Sequence, residues 1–238
     1  MKAHAARVRM KGLLIWDLPL RLFHWMLACA VLGSWVTHKI GTAAFAWHVR
    51  CGYAVIVLTA FRVLWGFTGP RHARFASFVR GPSSIFRYAR SLVDGDRTQH
   101  YAGHNPLGAL MVLLMLALLA TQAIAGLFAN DEVVSSGPLY GYVSDATSDA
   151  WSRVHRFVAK AIWVAVWLHL AAVLFHGVVK RDNLIVPMIT GRKQRTWLAD
   201  DQQIAGSQFW RAVLLAAACA AIVYWLVETA PPASLVLF

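Results

Sequence analysis

Residues 151–180 read WSRVHRFVAKAIWVAVWLHLAAVLFHGVVK, and three histidines, His155, His169 and His176, punctuate an otherwise apolar run. Such a run is long enough for a helix that crosses a bilayer, which needs ~20 residues. At 100° per residue, a step of 14 falls about 40° short of four turns and a step of 7 about 20° short of two, so all three share one face. Fourteen residues rise ~21 Å, which sets His155 and His169 at opposite levels of a membrane. Ionisable side chains are costly in hydrocarbon and generally face a bundle interior or a functional site.

Outward from this segment, the sequence holds four more apolar stretches of spanning length, so the predicted spans are 18–36, 48–67, 107–128, 151–179 and 209–227. The runs are too long for strands and do not alternate, which leaves helices as the spanning element. Of the 238 residues 58% are hydrophobic and 14% charged, with 11 Trp, a balance far from the roughly one-quarter charged of soluble domains. The formal charge of +12 does not mark a nucleic-acid binder, because the basic residues lie between apolar runs. The three cysteines, Cys29, Cys51 and Cys219, form no C-x-x-C pair and no covalent haem motif, and read as small core residues. The basic start MKAHAARVRMKG is followed by no small-residue cleavage pattern, so the first span reads as a retained helix.

Charge asymmetry orients the spans. Lys39, Arg50, Arg153, Arg156 and Lys160 fall on one side, together with the acidic 130–150 loop, and the other 18 of 23 Lys and Arg residues fall on the opposite side. The positive-inside rule then makes the N-terminus cytoplasmic and the C-terminus external, which for a multi-pass protein in a bacterial inner membrane would be periplasmic. The segment RHARFASFVRGPSSIFRYAR (71–90) reads either as an interfacial helix on the inner leaflet or as a solvated basic loop.

Two stacked haems would use the two-level helix well, each needing one more imidazole from another helix at its own depth. His48 opens the second span near the level of His155, and His24 lies near the inner start of the first span, opposite His169. This gives two pairs, His48 with His155 and His24 with His169. His38 follows His24 by the same 14 residues but stands past the apolar run, which favours a loop role. His176 competes with His169 for the inner level, and depth alone does not decide between them; the longer separation from His155 weighs against His176. His104 has no matched partner and reads as a cap or headgroup-level residue, with a quinone-site role as the alternative. His4, His72 and His100 read as ordinary polar-loop residues. Arg21 and Arg62 on the inner side, and Arg50, Arg153, Arg156 and Lys160 on the outer, are candidates to neutralise haem carboxylates. Lys160 has snorkelling to the headgroups as its simpler explanation.

With RLFHW, WHVRCGYAVIVLTAFRVLWGF, GHNPLGALM, the VH(x13)LH(x6)H spacing and RDNLIVPMITGRK, the chain resembles bacterial di-haem cytochromes b. More narrowly, it resembles the cytochrome b subunit of nickel-iron hydrogenases within the cytochrome b-561 superfamily, over residues 13–195. The resemblance implies an all-α integral membrane fold, a four-helix haem-binding bundle over 1–200, with an additional C-terminal transmembrane helix over 201–238. It implies two non-covalent haem b groups on His24, His48, His155 and His169, and electron exchange between a quinone pool and a redox partner. Hydrogenase and cytochrome c are the partner candidates, and a bound quinone is a further implied ligand. A superoxide oxidase or another small-substrate transmembrane oxidoreductase shares these haems but needs no partner protein. A transporter or assembly subunit using the histidines as a proton path or helix glue would lack them. No glycine-rich nucleotide loop is present and no catalytic acid–base pair stands out, so an electron-transfer subunit is favoured over a stand-alone enzyme.

Overall fold

The computed structural model describes residues 12–96, 99–130, 136–194 and 198–230. Five of its helices are long and apolar enough to cross a membrane, so the chain is an all-α, multi-pass membrane protein. These are α1 (Leu18–Ile40), α2 (Phe45–Thr68), α5 (Pro106–Phe128), α6 (Asp145–Val178) and α8 (Phe209–Glu228). Shorter helices, α3 (Phe75–Phe78), α4 (Pro82–Val93) and α7 (Ile185–Thr190), lie between them, and Leu13–Leu14 (β1) pairs antiparallel with Arg192–Lys193 (β2).

Caps define the helix ends. Asp17 caps α1 by accepting from the Leu20 N–H at 2.9 Å, and Asn105 caps α5 by accepting from Gly108 N–H at 2.8 Å. Pro19 and Pro106 sit in the first turns, where a missing N–H costs nothing. The α1 helix ends at Gly41, whose φ of 87° suits glycine. It therefore runs four residues past the sequence-based boundary at Val36 and takes His38 into the helix, which corrects the loop assignment. The α6 helix starts six residues earlier than the sequence suggests, because Ser144 caps it through Thr147 N–H. Its 34 residues measure ~51 Å against a hydrocarbon layer of ~30 Å, so its ends project into the headgroup regions.

The first two spans form one hairpin, α5 and α6 a second, and α2 packs against both α5 and α8. Among the described residues α5 is the one helix along which α6 packs closely. Ala30, Val55, Leu119, Ala123, Val158 and Ile162 form a small apolar layer between the hairpins. A larger cluster ties Ile15, Trp16, Leu20, Phe61 and Trp65 to Ala212 and Cys219 of α8, at the end of the bundle where α1 begins. We call this end the N side. Of the three thiols only Cys219 is fully in the core; Cys51 is half-buried and Cys29 is exposed on α1.

The N side carries most of the non-spanning structure. Carbonyls at the end of α7 accept hydrogen bonds from the start of α1: Gly191 O from Ile15 and Trp16 N–H, and Met188 O from Trp25 Nε1 at 3.2 Å. Ile189 O accepts from Arg21 Nη1. Residues 71–93 are helical in pieces, broken at 79–81, and not a continuous basic loop. Within them α4 is amphipathic and buries Tyr88, as an interfacial helix does.

Candidate haem site

Two imidazole pairs meet between the hairpins. The rings of His24 (α1) and His169 (α6) have centroids 6.3 Å apart, and those of His48 (α2) and His155 (α6) are 6.2 Å apart. Both pairs hang from α6, separated by the ~21 Å that 14 helical residues span. His176 is not part of the inner pair; its Nε2 lies 3.3 Å from Asn105 Nδ2 instead.

The outer pair is held in one orientation. His48 Nδ1 lies 2.9 Å from Ser34 O, and His155 Nδ1 lies 2.9 Å from Gln122 O. A carbonyl can only accept, so each Nδ1 carries the proton and each Nε2 keeps its lone pair, the arrangement that metal-binding histidines use. The His155 lone pair accepts a hydrogen bond from Gln122 Nε2 at 3.1 Å, which a metal would have to displace. Gly126 makes room for this ring: a Cβ there would lie 2.9 Å from His155 Cε1. His38 is a third imidazole at this level, 6.2 Å from His48. It is exposed on α1, and among the described residues no carbonyl fixes its tautomer as one does for His48 and His155. Its 14-residue spacing from His24 was the available signal.

At the inner level, polar atoms without hydrogen-bond partners among the described residues include Arg21 Nε, His24 Nδ1, Thr59 Oγ1, both Arg62 Nη atoms and His104 Nδ1. Arg62 is 2% exposed, with its guanidinium 5.1 Å from the Phe75 ring centre and 5.9 Å from that of Phe78. Asp17, 1% exposed, lies near enough to interact with it. Burial holds the Asp17 carboxyl above the usual carboxylate range, against the hydrogen bonds from Leu20 N–H and Trp65 Nε1. At the outer level Lys160 is exposed on α6, and Arg50 lies over the Trp47 ring at 4.7 Å.

His104 and His72 depart from their sequence readings. Asn105, not His104, caps α5, and the His104 ring is wedged between Trp16 and Phe78, with centroids 4.8 and 4.6 Å away. Enclosure pushes its pKa down to about 3, helped by the charges of Arg62 and His72. His72 is buried, its Nε2 lies 2.7 Å from Gln202 O, and burial lowers its pKa too. A polar residue next to a turn gives no sequence cue that aromatic rings will close over it. His4 and the acidic Asp131 and Glu132 lie outside the described residues.

These residues fit a haem. Two Fe–N bonds of about 2 Å, with roughly 1.1 Å from each nitrogen to its ring centre, put bis-imidazole rings ~6 Å apart, the spacing of both pairs. The unpartnered Arg62 nitrogens suit a haem carboxylate.

Comparison with known proteins agrees with this chemistry. The family model for the prokaryotic cytochrome b561 matches residues 15–191. A probable Ni/Fe-hydrogenase B-type cytochrome subunit of Azotobacter chroococcum mcd 1 is 25% identical over 209 residues, covering 74% of this chain and 86% of its own. Proteins of the same description from Bradyrhizobium diazoefficiens and Rhodobacter capsulatus are each 24% identical, covering 76% and 78% of this chain and 85% and 82% of theirs. No solved structure gives a significant match. With the family model spanning most of its length, the chain belongs to the prokaryotic cytochrome b561 family and is a membrane b-type cytochrome that carries electrons on haem.

Proposed function

We propose that the chain holds two haem b groups and carries electrons across the bacterial inner membrane, between a quinone pool and a redox partner protein. His24 and His169 hold the inner group, and His48 and His155 the outer. The observation that carries this reading is the pair of matched ring spacings, 6.3 and 6.2 Å, at two depths of one helix. Each haem, when bound, supplies a one-electron iron couple. Two imidazoles per site leave no protein-side opening for oxygen or a substrate, which favours electron carriage over ligand activation. The carbonyls of Ser34 and Gln122 orient the outer imidazoles. Arg62, Arg21 and Lys160 supply positive charge toward haem carboxylates, Arg62 from a buried position and Lys160 from an exposed one.

The N side faces the cytoplasm in this reading, on the strength of the Lys and Arg bias along the sequence. Residues 1–200 form the haem-binding unit and 201–238 an added spanning segment. A hydrogenase is the favoured partner class, because the relatives' names carry it; a cytochrome c is the alternative.

A pyridine haemochrome count on the purified protein, with a dithionite-reduced minus oxidised spectrum, tests the proposal. About two haems b per chain are expected, falling to one in His24→Ala and to one in His155→Ala. A single haem in the wild type, or an unchanged count in both variants, would refute the pairing.

A further inference from the structure

A second set of buried donors lies away from the imidazole pairs, where α4 closes over the N-side ends of α5 and α6. Tyr88, His176 and Lys180 are 1%, 9% and 8% exposed. Among the described residues Tyr88 Oη, His176 Nδ1 and Lys180 Nζ have no hydrogen-bond partner. All three line one small cleft, open on one side, together with Asn105 and Lys193.

The hydrogen-bond roles here are determined. Asn105 Oδ1 accepts from Gly108 N–H, so the atom that Asn105 turns to His176 is its Nδ2 donor. The His176 Nε2 must then accept, which leaves the proton on Nδ1, aimed at the cleft. Burial, with Tyr101 and Asp182 nearby, pushes Tyr88 up to about 12, so its hydroxyl stays a donor. Lys180 can only donate. The acid in the cleft, Asp182, pairs with Lys193 Nζ at 3.1 Å. Lys180 Nζ is left with the Tyr88 ring, 5.2 Å away, as cation–π compensation. An ammonium that is nine-tenths buried calls for an anion, since cation–π attraction offsets only part of its lost hydration.

We propose that this cleft binds one phosphate-type oxoanion, as the free ion or as the headgroup of an anionic phospholipid. Three convergent donors match an oxygen-rich anion, and one negative charge balances Lys180. Arg181, with a φ of 54°, turns the chain at the end of α6 so that Lys180 points inward while Asp182 N–H returns to His176 O at 2.9 Å. A neighbouring hollow shares Tyr101, Asp182 and Lys193 with the cleft and adds Arg181 and Arg192, a cationic approach to it. Above lies α4, with Phe86 and Val93 exposed and Tyr88 as its buried contact. The site lies at the N-side ends of the spanning helices α5 and α6, and it does not depend on either imidazole pair.

The test is binding of dihexanoyl phosphatidylglycerol and of inorganic phosphate to the full chain in a phosphate-free zwitterionic detergent. It is read by native mass spectrometry and by the shift in thermal midpoint. One saturable site per chain is expected, weakened at least tenfold in both Lys180→Met and Tyr88→Phe and unchanged in Arg87→Ala on the exposed side of α4. If phosphate alone saturates the site, its ligand is the free oxoanion; if only the lipid does, the ligand is a headgroup. No saturable binding of either probe, or equal binding in Lys180→Met and Tyr88→Phe, overturns the proposal. Tyr88→Phe removes one hydroxyl and keeps the ring, and unchanged circular dichroism and elution volume show that it is folded.

Discussion

Arg62 shows what burial does to a single charge. Its two terminal nitrogens lack hydrogen-bond partners among the described residues, and the rings of Phe75 and Phe78 flank it. Near an iron whose oxidised form carries the extra positive charge, such a cation favours reduction. Replacing it by Met should therefore lower the inner potential by roughly tens of millivolts, the size of a ~1 kcal/mol interaction in partly screened surroundings. The exposed Lys160 is more strongly screened by water and salt. Lys160→Met should shift the outer potential less, and less still at high ionic strength. A spectroelectrochemical titration of both variants checks the order; a larger shift from Lys160 would reverse this account. Asp17 is the second residue whose burial matters, since one oxygen, Oδ1, both caps α1 and accepts the Trp65 indole at 3.2 Å. Asp17→Ala should cost about 2 kcal/mol through a lost cap and an unpaired indole N–H, and Asp17→Asn less. Thermal unfolding in detergent would measure both.

At the scale of elements, the outer site depends on how closely α5 approaches α6. Gly126 sets that approach, because any side chain there meets the His155 ring, and the backbone of the same helix supplies the Gln122 carbonyl that orients the ring. Gly126→Val should remove or distort the outer haem while sparing the inner, so the haem count falls toward one. If Gly126→Val keeps two haems with unaltered spectra, the ring is not confined by α5. The pairing of α6 with two different helices also separates the two levels: α1 brings His24, and α2 brings His48. A substitution at one level should then leave the other intact, as well-separated sites usually behave.

For the whole molecule, acid is the informative perturbation. The N-side cap over the bundle encloses His104 and His72 among Trp16, Phe78 and the Gln202 carbonyl. Enclosure lowers both pKa values, that of His104 from 6.5 to about 3. The unfolded chain therefore takes up protons first as pH falls. Their contribution to stability is complete above about 6.5 and declines below it, toward pH 3 for His104, by at most ~1.4 kcal/mol per pH unit for each group. Thermal midpoints should fall between pH 7.5 and 5.5, and His72→Gln should flatten the slope. A profile that is level over this range, or unaffected by the substitution, would show that neither ring is kept neutral by the fold.

The sequence by itself determined the five spans, the two-level helix and the face that His155, His169 and His176 share, because hydropathy and a 100° step are properties of the chain alone. The bundle brings its four candidate ligands together as two pairs, with His38 as a further imidazole beside His48. Tertiary structure decided the rest. It set His169 against His24 and gave His176 to Asn105, a choice that axial depth leaves open because it depends on where α1 and α5 lie around α6. It extended α1 through His38, since Gly41 and not the last apolar residue ends that helix. It enclosed His72 and His104 under rings contributed by residues distant in sequence, and it folded 71–93 into broken helices over a cleft of unpartnered donors. Periodicity reports which side of an element is apolar; which neighbour covers that side, and which polar atoms lose water with it, is determined only when the helices pack.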